Sequence, residues 1–368
     1  MKFVCTQENF NQGLTLVSHL SSKNTALPIL NNILLEAKDG LIHLTATNLE
    51  IAITTKIRGR VEKEGSYTIQ GKILNEYVKL LPKENIEATL QDGGLFINCE
   101  AYQTTIQGLP ADDFPVIPTP KEDSIFTVSA AELKQAFNQT LFAVSLDESR
   151  AEISGVFFLL NQAGLTLVGT DSFRLAEKKV TVLKSGVERK IIVPLKTCQE
   201  AWRILNELSL EETVTLVISE NQIQFSFNET KLISRLIEGN YPDYTQIIPK
   251  DFITTAKIQN NELNKIIKSA SLFCKPGIND VKLTLVASAG EVVVMATNNG
   301  VGESLIKIKA EITGTDNEAV FNYRYLLDGL NAINDQEVLL QVISAAQPAV
   351  LKPKNSQSYL YIVMPIRQ

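Results

Sequence analysis

The chain has 368 residues, 44% of them hydrophobic and 21% charged, the balance of a soluble globular protein with apolar material for several cores. Its longest apolar runs are strand-sized and exclude a bilayer-spanning helix, and the opening MKFVCTQENF reads as a strand entering a helix, without the apolar core of a signal peptide. A net charge of −6 argues on average against nucleic-acid binding, although an acidic average can hide a basic inner surface, and the scattered Cys5, Cys99, Cys198 and Cys274 fit buried thiols of a reducing cytosol better than disulfides or a metal site.

In chain order, Phe10, Leu14 and Val17 fall at helical spacing behind the first strand. Strands follow over residues 31–36 and 41–45, on either side of the Lys38-Asp39-Gly40 turn, and over 67–69. A helix over 73–81 leads to strands at 86–90, 95–99 and 104–106. Ser129 and Glu132 then form a capping-box pattern ahead of Leu133, Phe137, Leu141 and Val144. Strands at 154–159, 165–168 and 190–193 precede a helix over 197–208, opened by Thr197 and Glu200, and further strands at 213–218, 223–227 and 232–236. Finally, Asn260 or Asn261 caps a helix presenting Leu263, Ile267 and Ala270. Strands at 280–285, 292–295 and 319–321, a helix over 325–333, and strands at 338–343, 349–351 and 359–364 complete the chain.

This grammar is one module written three times. Thr47-Asn48, Thr170-Asp171 and Thr297-Asn298 each follow an apolar strand, at intervals of 123 and 127 residues. The expected domains are 1–120, 121–248 and 249–368, with boundaries in the proline-rich 115–120 and in 248–251. The fold class is α+β: three tandem copies of a module in which two helices pack on antiparallel sheets. Triplication argues for a large quasi-symmetric surface and against a single catalytic pocket. His19 and His43 have no nucleophile arranged near them, and Gly13, Gly40 and Gly164 stand in no phosphate-loop pattern, so no enzyme, cofactor or metal is expected. The recurring Thr-Asx pair reads as a structural turn, because Asp and Asn both satisfy local backbone donors.

Leu14, Leu133, Leu205, Ile267 and Leu327 mark the core-facing stripes of the helices. Lys79, Lys134, Arg203, Lys265 and Lys268 lie off those stripes, and Lys23, Lys72, Lys196 and Arg324 sit just outside helix ends. Quasi-symmetry brings equivalent helix faces, and their basic residues, to one common surface.

The segments 25–35 (TALPILNNILL), 47–50 (TNLE), 109–115 (LPADDFP), 170–176 (TDSFRLA), 241–244 (YPDY) and 361–367 (YIVMPIR) resemble, in order and spacing along the whole chain, the bacterial DNA polymerase III β subunit, the sliding clamp. The resemblance implies a head-to-tail homodimer of three-domain protomers, each forming half of a closed pseudo-sixfold ring around double-stranded DNA. Helices line its hole, and phosphate contacts there are independent of sequence. It implies a cytoplasmic, nucleoid-associated, non-catalytic processivity factor without membrane attachment. The DNA-channel residues are then Lys23, Lys72, Lys79, Lys134, Lys196, Arg203, Lys265 and Lys268.

The resemblance also implies a pocket between the middle and last domains for short motifs of the polymerase III α subunit, the clamp-loader δ subunit and other clamp-motif proteins. The matching residues are Ile153, Thr170, Ser172, Phe173, Arg174, Leu175, Pro242, Ile247, Ile362, Val363 and Met364, where a soft methionine suits several peptides. By family position, Leu272 and Phe273 pack against the partner near Lys72, Glu76 and Tyr77, with Glu303 pairing there with a lysine. Phe173 stands where the family usually has His, Gln246 replaces a common Arg, and Pro348 replaces a small polar residue; these departures make the groove more apolar. The competing reading is a non-enzymatic repeat scaffold that binds peptides without encircling DNA.

Overall fold

The computed structural model describes residues 1–21, 27–121, 123–207 and 213–367; Lys23, the start of the TALPILNNILL segment and Leu208 lie outside the described residues. Each third of the chain runs through the same strands and α-helices. The first has β1 (Lys2–Thr6), α1 (Gln7–Val17), β2 (Asn32–Lys38), β3 (Leu41–Thr47), β4 (Ile51–Arg58), β5 (Arg60–Lys63), β6 (Gly65–Gln70), α2 (Gly71–Leu80), β7 (Asn85–Gln91), β8 (Gly94–Cys99) and β9 (Tyr102–Leu109). The second has β10 (Ser124–Ser129), α3 (Ala130–Thr140), β11 (Gly155–Asn161), β12 (Gly164–Thr170), β13 (Arg174–Val180), β14 (Val182–Lys184), β15 (Arg189–Pro194), α4 (Leu195–Glu207), β16 (Thr213–Ile218), β17 (Gln222–Phe227) and β18 (Thr230–Arg235). The third has β19 (Thr254–Gln259), α5 (Asn260–Ser271), β20 (Asp280–Val286), β21 (Glu291–Asn298), β22 (Gly302–Lys309), β23 (Glu311–Gly314), β24 (Asn317–Asn322), α6 (Tyr323–Ala332), β25 (Glu337–Val342), β26 (Ala349–Pro353) and β27 (Tyr359–Val363). The fold is α+β, with antiparallel sheets and, among the described residues, two α-helices in each repeat.

Sequence patterning does not reveal β4, β13 and β22. The first two are buried on both faces over much of their length, which removes the apolar–polar alternation, whereas β22 is largely exposed and reads as polar. The helix starts differ as well. Helix α4 begins two residues before Thr197, which is buried. The Glu132 carboxylate accepts from the Thr181 backbone N–H (2.9 Å). Leu141 and Val144 lie beyond α3, in and after a 3-10 turn over Leu141–Ala143. Gln259, not Asn260, is the N-cap of α5; the buried Asn260 amide donates to the carbonyls of Leu330 (3.2 Å) and Ile333 (2.8 Å) at the end of α6. Gln7 does the same in the first repeat, donating to the Val78 carbonyl of α2 (2.8 Å). In each case a buried amide satisfies a terminal helix carbonyl and holds the two helices side by side. Leu326 and Leu330, not Leu327, carry the fully buried stripe of α6.

The chain divides into two compact units, residues Met1–Ala130 with Arg203–Leu236, and Ala131–Trp202 with Ile237–Gln368. In the first, the strand order β10-β16-β17-β18-β4-β3-β2-β6-β9-β8-β7-β1-β5 is continuous. Its core includes Phe3 and Phe10, edge to face at 5.9 Å, with Leu14 and Ile53. In the second unit, the order β15-β11-β12-β13-β27-β26-β25-β19-β23 forms one sheet and β22-β21-β20-β24 another, over a core containing Phe321, Leu330 and Tyr361. A Cβ on Gly329 would stand 2.4 Å from the Tyr361 ring, so α6 rests on that ring only because position 329 lacks a side chain. The four cysteines are free and buried, and burial pushes the Cys5 thiol up to about 12.

Candidate peptide groove and nucleic-acid surface

The Thr-Asx pairs close one tight turn. Thr170 Oγ1 donates to the Arg174 carbonyl (2.6 Å) and accepts from the Ser172 N–H (3.1 Å), while Asp171 Oδ1 accepts from the Phe173 and Arg174 N–H groups (2.9 and 3.0 Å). Thr47 and Asn48 repeat this set with Leu49, Glu50 and Ile51. Ser172 and Leu49 share a left-handed backbone, φ 78° and 77°, a conformation that non-glycine residues adopt only under local compulsion. The third copy is looser: Asn298 accepts from the Gly300 N–H (3.0 Å) and donates to the Cys274 carbonyl (3.2 Å).

The turn thrusts Phe173 outward, 60% exposed, and the Met364 N–H donates to the Phe173 carbonyl (2.9 Å). Pro242, Ile247 and Ser172 are also exposed and Met364 is half-buried. These residues are accessible, and the Phe173–Met364 bond brings two of them together. The remaining predicted groove residues do not join them: Ile153, Leu175, Ile362 and Val363 are core, and Thr170 is 9% exposed. Leu175 and Ile362 belong to a small cluster against which Tyr241 and Tyr244 pack, and these two rings meet Phe157, stacked at 4.8 Å and edge-on at 6.3 Å respectively.

Arg174 also departs from its expected role. Its guanidinium donates to Asp171 (2.9 Å), Asp328 (2.5 Å) and the Phe142 carbonyl (2.7 Å), and lies 4.5 Å above the Tyr325 ring. A cation so committed ties the 3-10 turn after α3, the Thr170 turn and α6 together, with three of its five N–H groups engaged inside the protein. Although burial opposes its charge, the neighbouring Tyr361, Asp328 and Asp171 raise its pKa. An exposed cation of the region is Arg150, which donates to Ser172 Oγ (2.7 Å); its loop carries no periodic signal that singles it out in sequence. Beyond Met364 the chain continues to Ile366, whose N–H donates to the Val320 carbonyl (2.7 Å) beside a cavity of about 330 Å³.

The predicted channel residues divide similarly. Lys72, Lys79, Lys196, Lys265 and Lys268 are exposed on α2, α4 and α5, and Lys134 is half-buried on α3. Lys265 and Lys268 border a polar depression of about 580 Å³ shared with Asn261, Asn264 and Asn331. Helix α1 carries no lysine or arginine. Arg203 is spent within its own unit, donating to the carbonyls of Thr15 (3.2 Å) and Leu16 (2.6 Å) at the end of α1. Its two N–H groups thus cap a helix C-terminus, which is where a cation is favoured. Among the described residues no three His, Cys, Asp or Glu side chains gather as metal ligands, and no helix is long and apolar enough to cross a membrane.

Of the predicted interface residues, Leu272 is 75% exposed, whereas Phe273 packs against the core of its own unit. Lys72 and Glu76 form an exposed ion pair at 3.9 Å. Tyr77 is half-buried and Glu303 stands exposed on β22. Sequence reasoning missed Ile73 and Leu80 on α2, Tyr102 on β9, and Val301 and Leu305 beside or on β22, all large apolar side chains left in solvent at the two ends of the repeat.

Three copies of one helix-on-sheet module, with exposed lysines on α2, α4 and α5, are the parts of a DNA clamp. The description DNA polymerase III beta subunit matches the chain in three parts: N-terminal domain over residues 1–118, central domain over 127–243 and C-terminal domain over 245–367. The "Beta sliding clamp" of Synechococcus elongatus is 31% identical over 375 residues, spanning 100% of this chain and 99% of its own. That of Staphylococcus aureus is 30% identical over 379 residues with the same coverage. Among solved structures, the Bacillus subtilis polymerase sliding clamp matches with a TM-score of 0.95 at 28% identity, over 100% of this chain and 99% of that one. The Pseudomonas aeruginosa sliding clamp bound to griselimycin matches with a TM-score of 0.95 at 25% identity, over all of both chains. This chain belongs to the DNA polymerase III β subunit family, the sliding clamps, which are non-catalytic processivity factors of DNA replication.

Proposed function

We propose that two copies of this chain close head to tail into a ring that encircles duplex DNA and tethers partners through the face around Phe173 and Met364. One observation carries the ring. Strand β4 pairs with β18, Thr55 opposite Thr230, and β13 pairs with β27, Lys178 opposite Tyr359. The equivalent of β4 and β13 in the third repeat is β22, which ends its sheet. The equivalent of β18 and β27 in the first repeat is β9, which β6 meets only at Leu109 and Gly108 among the described residues. The two unmatched edges are the halves of a third such pair, split between the two ends of the chain. A head-to-tail dimer joins them twice and removes both edges. In the repeated register Leu305 stands opposite Tyr102 of the partner subunit, and these are side chains 57% and 50% exposed in the single chain. Loading onto nicked circular DNA followed by linearisation tests the reading: a ring is retained on circles and lost from ends, and equal retention on both contradicts encirclement.

The helix lysines face the DNA in this reading, and the contacts are electrostatic and independent of sequence. Replacing Lys134, Lys196, Lys265 and Lys268 with Glu is expected to abolish weak duplex binding, and single replacements to lower the salt slope by about 0.9 per lost phosphate contact. Arg203 is excluded from that set by its structural bonds to α1. Titration in increasing salt checks this, and an unchanged slope places DNA elsewhere.

Motifs of the polymerase III α subunit, the clamp-loader δ subunit and other partners dock along Phe173, Met364 and Ile366 in this reading, and the protein works in the cytoplasm at the nucleoid. A five- or six-residue peptide buries little area, so affinity is about micromolar. Deleting residues 364–368 removes the bonds from Met364 to Phe173 and from Ile366 to Val320. Peptide binding is then expected to disappear while the dimer persists, and Phe173→His to change motif preference more than overall affinity. Fluorescence anisotropy with a QLxLF-type peptide measures both; wild-type binding by the deletion removes the assignment.

A further inference from the structure

We infer that the cleft joining the first and second repeats is a second docking site, for an extended peptide carrying an aliphatic anchor and an acidic residue. The inference rests on the groove proposed around Phe173, because the two places share one backbone. The turn at Thr47 repeats that at Thr170 bond for bond, as shown above. The Arg235 N–H donates to the Glu50 carbonyl (3.2 Å), as that of Met364 does to Phe173 (2.9 Å). Ser234 pairs with Ile51 in β18 and β4 as Val363 pairs with Arg174 in β27 and β13. Arg235 is therefore the counterpart of Met364, Glu50 of Phe173, Ala52 of Leu175, and Pro115 of Pro242.

The side chains at these matched positions differ. Where Tyr244 packs against the cluster that contains Leu175, the first unit has Ala52 and, three residues after Phe114, Ile117. A cavity of about 310 Å³ is lined by Leu49, Glu50, Ala52, Val116, Ile233 and Arg235, so that one carboxylate stands at the rim with the guanidinium. Val116 is 92% exposed and Leu49 also faces solvent. The Arg235 side chain is exposed, and no ion pair of it is recorded among the described residues. An apolar floor beside an uncommitted guanidinium fits an aliphatic side chain next to a carboxylate, whereas the Phe173 groove has a methionine in the place of that cation. The two sites thus select different motifs on one scaffold.

The test uses the full chain with Val116→Cys labelled by an environment-sensitive dye, the four native thiols being buried, and the peptide SDLDLFS as probe. The dye is expected to respond saturably with a dissociation constant of about 10–100 μM. Arg235→Glu should weaken that response at least about tenfold, the loss of one charge-assisted contact and gain of a repulsion, whereas Phe173→Asp should leave it unchanged. A dye silent to about 1 mM peptide overturns the cleft while QLxLF-type anisotropy still supports the Phe173 groove. A response indifferent to Arg235→Glu overturns the proposed chemistry. Silence of the dye together with loss of all peptide anisotropy on the unlabelled wild type overturns both readings.

Discussion

Replacing Leu272 and Leu305 together with Asp is expected to convert the dimer to a folded monomer. Both side chains stand largely in solvent in the single chain, 75% and 57% exposed, so the substitution costs the protomer little. In the proposed ring each would be buried against the partner. Burial of a leucine contributes about 1.5–3 kcal/mol, so losing two weakens association by about 3–6 kcal/mol, roughly a hundredfold to ten-thousandfold. Burying a carboxylate adds to the loss. Phe273 is left intact because it packs on its own core. Sedimentation velocity across micromolar concentrations, with circular dichroism to confirm folding, measures the result. A dimer of wild-type strength places the interface elsewhere, and a monomer with lost structure makes these residues part of the core.

Arg174→Met is expected to destabilise the second unit by about 2–4 kcal/mol. Removing one member of a buried ion-pair network leaves its partners desolvated and unpaired, which costs about 3–5 kcal/mol when burial is complete. Asp171 is nearly enclosed, with its side chain 17% exposed, but Asp328 is 43% exposed and recovers water, which moderates the loss. Arg174→Lys restores little, since a point charge cannot bridge two carboxylates and a carbonyl while stacking on Tyr325. Urea denaturation gives the size of the effect. Unchanged stability combined with lost peptide binding assigns Arg174 to ligand contact after all.

Local patterning determined most of the module. Three Thr-Asx pairs at near-constant intervals define the repeat, because a side chain that bonds its own backbone writes a turn into adjacent residues. Helical spacing located α1, α3 and α5, and apolar alternation located the strands whose two faces see different surroundings. The family, and with it the clamp function, was likewise legible from ordered short segments along the chain.

Tertiary structure decided which residues of the candidate sites are available, since burial and hydrogen-bond partners join positions far apart in sequence. Nothing near Arg174 announces Asp328, 154 residues away, and nothing near Arg203 announces the carbonyl of Thr15, 188 residues away. The resemblance made Arg174 a groove residue and Arg203 a channel cation, yet each bonds carbonyls or carboxylates within its own unit. Leu175 and Ile362 read as groove walls until the aromatic segment at Tyr241 and Tyr244 packs against their cluster. The exposed face fell instead to Phe173, raised by a left-handed Ser172. The sheet edge at β22 and the side of β9 that β6 meets only at Leu109 and Gly108 among the described residues are also invisible in one strand's pattern, because whether an edge is open depends on which strand the fold places beside it.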